Sequence, residues 1–240
     1  ELFRQLPWRR QVLEGTLGAD VVGFHTQDSA RNFMVALRAM GYSVQIVDDA
    51  ESANFLRGAR LPEEAQVVGT ITVDSGRVVK VGVFPISIDS AKVNAQANQP
   101  DVLAQASDLR ARLGNPRVLI AGVDRLDYTK GIQHRLEAIE FLLDSGRLAA
   151  EDVAMVQVAT PSRERLDDYQ RTRQQVEAIV SRINGNHGSL GRSLIHYMHS
   201  GLPFEQIVAL YAAADVMLIT PLKDGMNLVA KEYVACHSDG

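Results

Sequence analysis

The sequence predicts an α/β fold whose second half forms a doubly wound parallel sheet, and three observations lead to that prediction. Short apolar runs of strand length alternate with amphipathic runs of helix length along the chain. In the second half these apolar runs are continuous, which is typical of parallel strands buried on both faces of a sheet. A Gly114-Asn115-Pro116 turn separates this regular alternation from a polar, alanine-rich helical stretch before it. We therefore place a domain boundary there, with one lobe over residues 1–112 and a second over residues 113–240.

The first lobe contains one helix with clear start and stop signals and one clear hairpin. Thr26 is a suitable N-cap, Phe33 and Leu37 share an apolar face, and Gly41 ends the pattern. Two β-rich runs flank a DSG turn at 74–76, which predicts a β-hairpin. The predicted elements are an amphipathic helix at 8–17, strands at 19–24 and 43–47, the capped helix at 26–39, a polar surface loop at 51–64, hairpin strands at 67–73 and 77–84, and a helical stretch at 90–113.

The second lobe is predicted to alternate strand and helix without interruption. Ligands of doubly wound sheets bind beyond the carboxyl ends of the strands, at the strand-to-helix turns. We therefore expect the functional residues in the turns that follow Gly122, Val158, Tyr197 and Ile219. The predicted strands lie at 117–122, 153–158, 194–197 and 216–219, and the predicted helices at about 131–143, 165–183, 204–213 and 227–235.

Composition excludes several classes of function. A net charge of -4 argues against a nucleic-acid partner, since phosphate neutralisation needs a basic face. No apolar run approaches the roughly 18 residues that span a bilayer, so no membrane segment is predicted. The single cysteine, Cys236, excludes an internal disulfide and fits a reducing, cytoplasmic setting. The six histidines lack metal-ligand spacing, so the sequence predicts no metal site, and no cofactor is expected.

The first motif with chemical potential is GVDRLDYTKG at 122–131, between a strand and a helix. A helix N-terminus attracts anions, and Arg125 and Lys130 add two full positive charges. Together they could neutralise the diphosphate of a nucleotide-sugar. The alternative is a solvated turn in which these two cations pair with Asp124 and Asp127. The motif has neither a Walker A pattern nor a GxGxxG fingerprint, so neither an ATPase nor a dinucleotide enzyme is indicated.

The second motif is KDGMNLVAKE at 223–232, which follows an apolar strand. Asp224 occupies an N-cap-like position, and Gly225 permits a close backbone approach. The amides of Met226, Asn227 and Leu228 would then face outward at the helix start. Glu232 would lie two turns further, roughly 12 Å along the helix axis from the aspartate. One carboxylate could hold sugar hydroxyls and the other a ribose; the alternative is an N-capped helix with an ordinary surface glutamate.

The third motif is TPSR at 160–163, directly after an apolar strand. Arg163 is well placed there for an anionic group. The alternative is a surface residue, which an isolated arginine more often is.

Taken together these segments resemble the trehalose-6-phosphate synthase family. The matching strings occur in the family's order from Leu6 to Ala235, and DGMNLVAKE is the most specific of them. They are LPWRRQVLEGTLGADVVGFHT, GVDRLDYTKGI, the PSR before the long helix, RINGNHGSLG and TPLKDGMNLVAKEYVA.

The resemblance implies two Rossmann-like lobes of the GT-B type and a retaining transfer of glucose from UDP-glucose or ADP-glucose to glucose 6-phosphate. It implies that Arg125 and Lys130 bind the donor diphosphate, and that Arg163 helps to grip the acceptor phosphate. It also implies no covalent enzyme nucleophile. The remaining implied donor contacts are Asp224 and the backbone of Gly225, Met226 and Asn227 for the glucose, Leu228 and Val229 for phosphate, and Glu232 for the ribose.

The resemblance also leads us to expect an internal fragment, with an incomplete N-terminal lobe and a truncated C-terminal lobe. Most acceptor residues of the family would precede Glu1, so the 240 residues alone are expected to be inactive or nearly so. Two alternatives stay open: a sibling with another acceptor, such as glucosylglycerol-phosphate synthase, and a non-catalytic regulatory member. The sequence leaves the choice of donor base and the oligomeric state open, with a homo-oligomer as one alternative.

Overall fold

The computed structural model describes residues 2–56, 65–162, 167–222 and 224–237. The chain divides into two compact units, Glu1–Ser87 and Ile88–Gly240. Each unit contains one four-stranded sheet with helices packed against it. The predicted α/β class is therefore confirmed.

The first unit is built on a sheet of mixed direction, in the order β1-β4-β3-β2. β1 runs parallel to β4, whereas β4, β3 and β2 are antiparallel neighbours. Thr26 caps α2 as expected, because its side chain accepts a hydrogen bond from the amide of Ser29. The elements are α1 (Arg9–Thr16), β1 (Val21–Phe24), α2 (Gln27–Arg38), β2 (Ser43–Ile46), α3 (Asp49–Leu56), β3 (Gln66–Thr72) and β4 (Val78–Val83).

The second unit contains a fully parallel sheet in the order β7-β6-β5-β8. Successive residues of the central strand β5 pack on opposite faces of the sheet. Ile120 packs with α6 and α7, whereas Leu119 and Ala121 pack with α5 and α8. This is the two-sided burial expected of a doubly wound sheet. The elements are α4 (Ser90–Ala97), α5 (Pro100–Arg112), β5 (Val118–Arg125), α6 (Ile132–Asp144), β6 (Val153–Thr160), α7 (Asp167–His187), β7 (Ile195–Met198), α8 (Phe204–Ala213), β8 (Val216–Met217) and α9 (Leu228–Cys236).

The strand order has one reversal, and it defines where a ligand can enter. The chain proceeds from β5 outward to β6 and β7, then returns to place β8 on the other side of β5. Helices that follow neighbouring strands on opposite sides of such a reversal diverge, which opens a crevice at the carboxyl ends of β5 and β8. The turns after these two strands are the first and second motifs of the sequence.

Two sequence expectations need correction outside this crevice. Part of the predicted loop at 51–64 is helical, because α3 starts at Asp49 and Asp48 accepts a hydrogen bond from the amide of Glu51. The buried hydroxyl of Ser52 also accepts from the amide of Val67, which ties this helix to β3. Residues 57–64 of that expectation lie outside the described residues.

The helical stretch at 90–113 is two helices rather than one, since Pro100 cannot continue a helix and instead starts α5. Both helices pack against α8, and α4 also contacts α9. They thus belong to the second compact unit. The boundary at 112/113 stays a prediction about the lobes of a longer protein.

Candidate functional site

An ion pair bridges the two turns at the crevice. The ammonium of Lys130, just before α6, donates to Oδ2 of Asp224 in the turn before α9, over 2.6 Å. Only 16% and 19% of these two side chains are exposed. Partial burial pushes the pKa of Asp224 up, but the hydrogen bond and charge of Lys130 outweigh it, so the pKa is lowered. The carboxyl group of Asp224 is therefore ionised at neutral pH.

The backbone of the two turns is also joined. The amide of Leu222 donates to the carbonyl of Thr129 over 2.8 Å. Gly131 is the N-cap of α6 with φ of +63°, and a side chain at this position would collide with the carbonyl of Thr220. Asp127 closes the turn by accepting from both the amide and the hydroxyl of Thr129. Glycine is thus required at 131 both by its left-handed conformation and by the close approach of the second turn.

A buried arginine underlies this arrangement. Nη1 of Arg135 in the first turn of α6 donates to Asp124 of β5 and to Gln157 of β6, each over 2.8 Å. Its Nε donates to the hydroxyl of Thr220 over 3.1 Å. The arginine side chain is fully buried, and Asp124 is 4% exposed. One side chain therefore links β5 and β6 to the turn after β8.

In this cluster, burial and the neighbouring positive charges act on the pKa of Asp124 in opposite directions. Burial raises the pKa of Asp124, although the positive charges of Arg135 and Lys130 and the hydrogen bonds of the cluster oppose the rise. Nη2 of the arginine is buried without a hydrogen-bond partner among the described residues. An incompletely satisfied buried guanidinium is energetically costly, which makes its three hydrogen bonds, to Asp124, Gln157 and Thr220, important for this region.

The sequence expectation for Asp124 and Arg125 is corrected by the length of β5. Both residues belong to the strand rather than to the turn, because β5 pairs with β6 along its whole length, up to Arg125 opposite Thr160. Asp124 faces the buried cluster, whereas Arg125 is exposed and forms no side-chain hydrogen bond or ion pair with the described residues. The pairing of Lys130 with Asp124 or Asp127, weighed as an alternative, is replaced by its pairing with Asp224.

The start of α9 differs from the expectation as well. Asn227, not Asp224, is the N-cap, since its side-chain oxygen accepts from the amide of Ala230 over 3.1 Å. Asp224 instead accepts from the amide of Met226 over 3.4 Å and from the side-chain amide of Asn227 over 3.3 Å. The Met226 amide thus already has a partner. The first helical residues, Leu228 and Val229, carry amides that a helix leaves without internal partners.

Glu232 lies on the second turn of α9, closer to the helix start than expected. Because the helix begins at Leu228, four residues separate the two, which corresponds to about 6 Å of helical rise. The expected spacing of 12 Å was counted as helical rise from an N-capping Asp224, and this premise is wrong. One oxygen of the Glu232 carboxylate accepts from the hydroxyl of Tyr211 over 3.0 Å. Gly225 lines open space, since a side chain built there would meet no atom within 4 Å.

Comparison with known proteins identifies the family. The family described as glycosyltransferase family 20 matches residues 1–240. This chain belongs to glycosyltransferase family 20. A trehalose-6-phosphate synthase of Mycobacterium avium (strain 104) is 49% identical over 239 residues, which cover 100% of this chain and 46% of that protein. This family 20 chain thus spans about half the length of the curated relatives it matches.

Solved structures of two relatives share the fold. An E. coli trehalose-6-phosphate structure bound with UDP-2-fluoro glucose has a TM-score of 0.79 and 32% identity, covering 98% of this chain and 47% of that one. A Burkholderia xenovorans α,α-trehalose-phosphate synthase (UDP-forming), in complex with glucose-6-phosphate, has a TM-score of 0.82 and 30% identity, with 98% and 48% covered. The family 20 chain therefore has the GT-B type of architecture expected from its motifs.

The third motif is only partly described. Arg163 lies outside the described residues, so its position relative to the crevice stays a prediction. Two of the three residues before it contact the first turn: the amide of Leu126 donates to the carbonyl of Thr160, and the hydroxyl of Ser162 donates to the carbonyl of Leu126. The segment leading to 163 is thus anchored beside the turn that carries Lys130.

Sequence reasoning missed three residues that shape this family 20 site, Arg135, Gln157 and Tyr211. It included Thr220 in the second motif's segment but gave this residue no role. Two of the three missed residues left a signal in the sequence. Arg135 falls on the apolar face of its helix between Ile132 and Ile139, and Gln157 interrupts an apolar strand. A polar residue at a buried position must find a partner, so such interruptions point to a polar network.

The described residues include neither a candidate metal-binding cluster nor a candidate membrane-spanning helix. Within 2–56, 65–162, 167–222 and 224–237, no group of three or more histidine, cysteine, aspartate or glutamate side chains is arranged to hold a metal ion. Within the same ranges, no helix has the length and apolar character needed to cross a membrane.

Proposed function

We propose that this chain supplies the nucleotide-sugar site of a protein with trehalose-6-phosphate synthase activity. The reaction transfers glucose from UDP-glucose, or ADP-glucose, to glucose 6-phosphate and yields α,α-trehalose 6-phosphate with retention. The observation that carries the proposal is the Lys130–Asp224 ion pair at the strand-order reversal, since it joins a phosphate-binding cation to a sugar-binding carboxylate. The names and ligands of the family 20 relatives support UDP-glucose as the donor and glucose 6-phosphate as the acceptor.

The diphosphate half of the site would use Lys130, Arg125 and the N-terminus of α6. Arg125 is exposed and has no partner among the described residues, so it can form a bidentate bond to phosphate without breaking another. Lys130 is already oriented by Asp224. Both cations, with the helix dipole, would stabilise the charge that develops on the diphosphate as it leaves.

The sugar half would use the turn before α9. Asp224 keeps a free lone pair for a glucose hydroxyl while it holds Lys130, and the open space beside Gly225 leaves room for the ring. The backbone of Met226 and Asn227 completes the glucose subsite in this proposal. The amides of Leu228 and Val229, which the helix itself leaves without partners, would bind phosphate oxygens, and Glu232 would accept a hydrogen bond from the ribose.

The chemical step needs no enzyme nucleophile in this arrangement. The bond between C1 of glucose and the diphosphate oxygen breaks, and its electron pair leaves with the nucleoside diphosphate. A hydroxyl oxygen of the acceptor forms the new bond to C1 on the same face, and its proton passes to the departing phosphate oxygen. The enzyme's main contribution is then electrostatic stabilisation of the leaving group by Arg125 and Lys130.

The proposal also covers the acceptor site, the cellular compartment and the oligomeric state. Arg163 would bind the phosphate of glucose 6-phosphate, and most other acceptor contacts would come from outside the 240 residues. We place the activity in the cytoplasm, where a lone Cys236 stays reduced. A homo-oligomer is compatible with the proposal.

The test is a product assay on the whole protein, with UDP-glucose and ADP-glucose as donors and glucose 6-phosphate and glycerol 3-phosphate as acceptors. We expect nucleoside diphosphate release that depends on glucose 6-phosphate, and a product whose two anomeric signals in NMR are both α. Turnover with glycerol 3-phosphate alone would reassign the protein to a sibling activity. Donor binding without turnover on either acceptor would favour a non-catalytic member.

A further inference from the structure

A buried tyrosine on α8 contacts Glu232, the residue of α9 that is proposed to bind the ribose. Tyr211 lies on α8 and is fully buried in the core between this helix and the sheet. Its hydroxyl donates to Oε2 of Glu232 over 3.0 Å. A hydroxyl in an apolar core costs free energy unless it is hydrogen-bonded, so the partner of this group is a specific feature of the fold.

The hydroxyl stays a donor over the whole working range of pH. Burial raises the pKa of Tyr211 far above its ordinary value, and the negative charge of Glu232 raises it further. The charge of Asp124 acts in the same direction, which places the tyrosine within electrostatic reach of the end of β5. The phenol is thus protonated whenever the carboxylate is ionised.

The bond makes the two oxygens of Glu232 unequal. Oε2 is held by the core, whereas Oε1 has no hydrogen-bond partner among the described residues. A flexible glutamate loses side-chain entropy when it binds a ligand, and a partner that fixes it beforehand reduces that cost. One oxygen is thus anchored and the other is free to accept from a ligand hydroxyl.

We propose that Tyr211 is a positioning residue that orients Glu232 to accept a hydrogen bond from the ribose of the nucleotide donor. This inference rests on the proposed function, because it needs a nucleoside diphosphate at the start of α9. It predicts that removing one oxygen atom from the core weakens recognition of one ribose hydroxyl and leaves the chemical step intact.

The test compares Tyr211→Phe with Tyr233→Phe in the whole protein. Tyr233 packs edge-on against Tyr211, with ring centroids 6.4 Å apart, but its hydroxyl donates to the carbonyl of Ala214 over 3.2 Å. Both variants remove one hydroxyl from the same aromatic pair, and only one of them touches Glu232. The readouts are the Kd for UDP and for its 2′-deoxy and 3′-deoxy ribose analogues by calorimetry, and the kcat for transfer.

We expect Tyr211→Phe to raise the Kd for UDP about fivefold to tenfold while kcat stays within about twofold, because the variant loses the prior ordering of one flexible side chain rather than its bond to the ligand. The effect should vanish for the analogue that lacks the ribose hydroxyl bound by Glu232. Tyr233→Phe should change neither quantity by more than about twofold.

Three outcomes would overturn the inference in distinguishable ways. If Glu232→Ala weakens UDP binding and Tyr211→Phe does not, the tyrosine does not position the carboxylate, and the proposed function stands. If Tyr211→Phe weakens UDP and both deoxy analogues equally, its role is only structural. If the wild-type protein binds neither UDP nor ADP, the proposed function fails together with the inference.

Discussion

Replacing Lys130 by methionine removes the charge at the centre of the site and keeps a side chain of similar length. In the wild-type chain the ammonium contacts Asp224 over 2.6 Å with less than a fifth of either side chain exposed. In the variant, Asp224 keeps only the weaker bonds from the amide of Met226 and the side chain of Asn227, at 3.4 and 3.3 Å. The pair lies between surface and core, so its loss should cost about 1–2 kcal/mol of unfolding free energy.

The catalytic loss should be larger than the loss of stability. A preorganised cation aimed at developing charge contributes about 100-fold to 1000-fold, so kcat/KM for the donor should fall by that factor, or roughly 3–4 kcal/mol. The pKa of Asp224 is lowered, so the pair is fully formed above the ordinary carboxyl pKa and is lost only as the pH falls through the lowered value. The defect should thus be constant between about pH 6 and 8.

The assay is steady-state transfer by the whole protein, with donor and acceptor varied in turn. Lys92→Met is the matched control, because this lysine on α4 is exposed and its side chain forms no hydrogen bond or ion pair with the described residues of either turn. It should leave kcat/KM within about twofold of wild type. A Lys130→Met enzyme that retained donor KM and kcat/KM within about threefold would refute the assignment of this lysine to the diphosphate.

Two further predictions concern the backbone at Gly131 and the thiol of Cys236. Gly131→Ala should lower the unfolding free energy by roughly 2 kcal/mol or more and impair transfer, whereas Gly146→Ala, at φ of +68° but with open space around it, should cost only about 1 kcal/mol. Equal losses in the two variants, measured by urea unfolding, would show that the approach of the Thr220 carbonyl is not tight. Burial raises the pKa of Cys236 to about 11, so its labelling by a thiol reagent near pH 8 should be on the order of 100-fold slower in the native protein than after unfolding. Native and unfolded labelling rates that agree would contradict this.

Much of the second unit could be predicted because its signals are local. Apolar runs and their spacing determine where strands and helices form, and α8 has the predicted bounds, Phe204 to Ala213. The rule that ligands bind at carboxyl ends of parallel strands then indicates the two turns that hold Lys130 and Asp224. The location of the site follows from these local patterns and one general rule of topology.

The errors arose where a distant partner decides the structure. The segment DGMN contains two residues that favour an N-cap, and the sequence alone cannot choose between them. Lys130 engages Asp224, which leaves Asn227 to cap α9. In the same way the length of β5 follows from its pairing with β6, which no local pattern around Arg125 reveals. Contacts between residues far apart in the chain, rather than propensity, set these details.

Arg135 offers the sharpest test of how the core supports the site. Arg135→Met leaves Asp124 buried without its counter-charge, which should cost about 3–5 kcal/mol of unfolding free energy near pH 7. The pKa of Asp124 is already raised by burial and should rise further, so the carboxyl is protonated more easily in the folded state than in the unfolded state. The destabilisation is therefore present above the folded-state pKa and relieved as the pH falls through it.

The test is urea unfolding of the Arg135→Met variant at two pH values. The loss of unfolding free energy should be smaller near pH 5 than near pH 7, and Asp124→Asn should rescue much of this loss in the double variant. A deficit that is the same at both pH values, or that Asp124→Asn leaves unchanged, would mean that Arg135 acts through packing rather than through its charge.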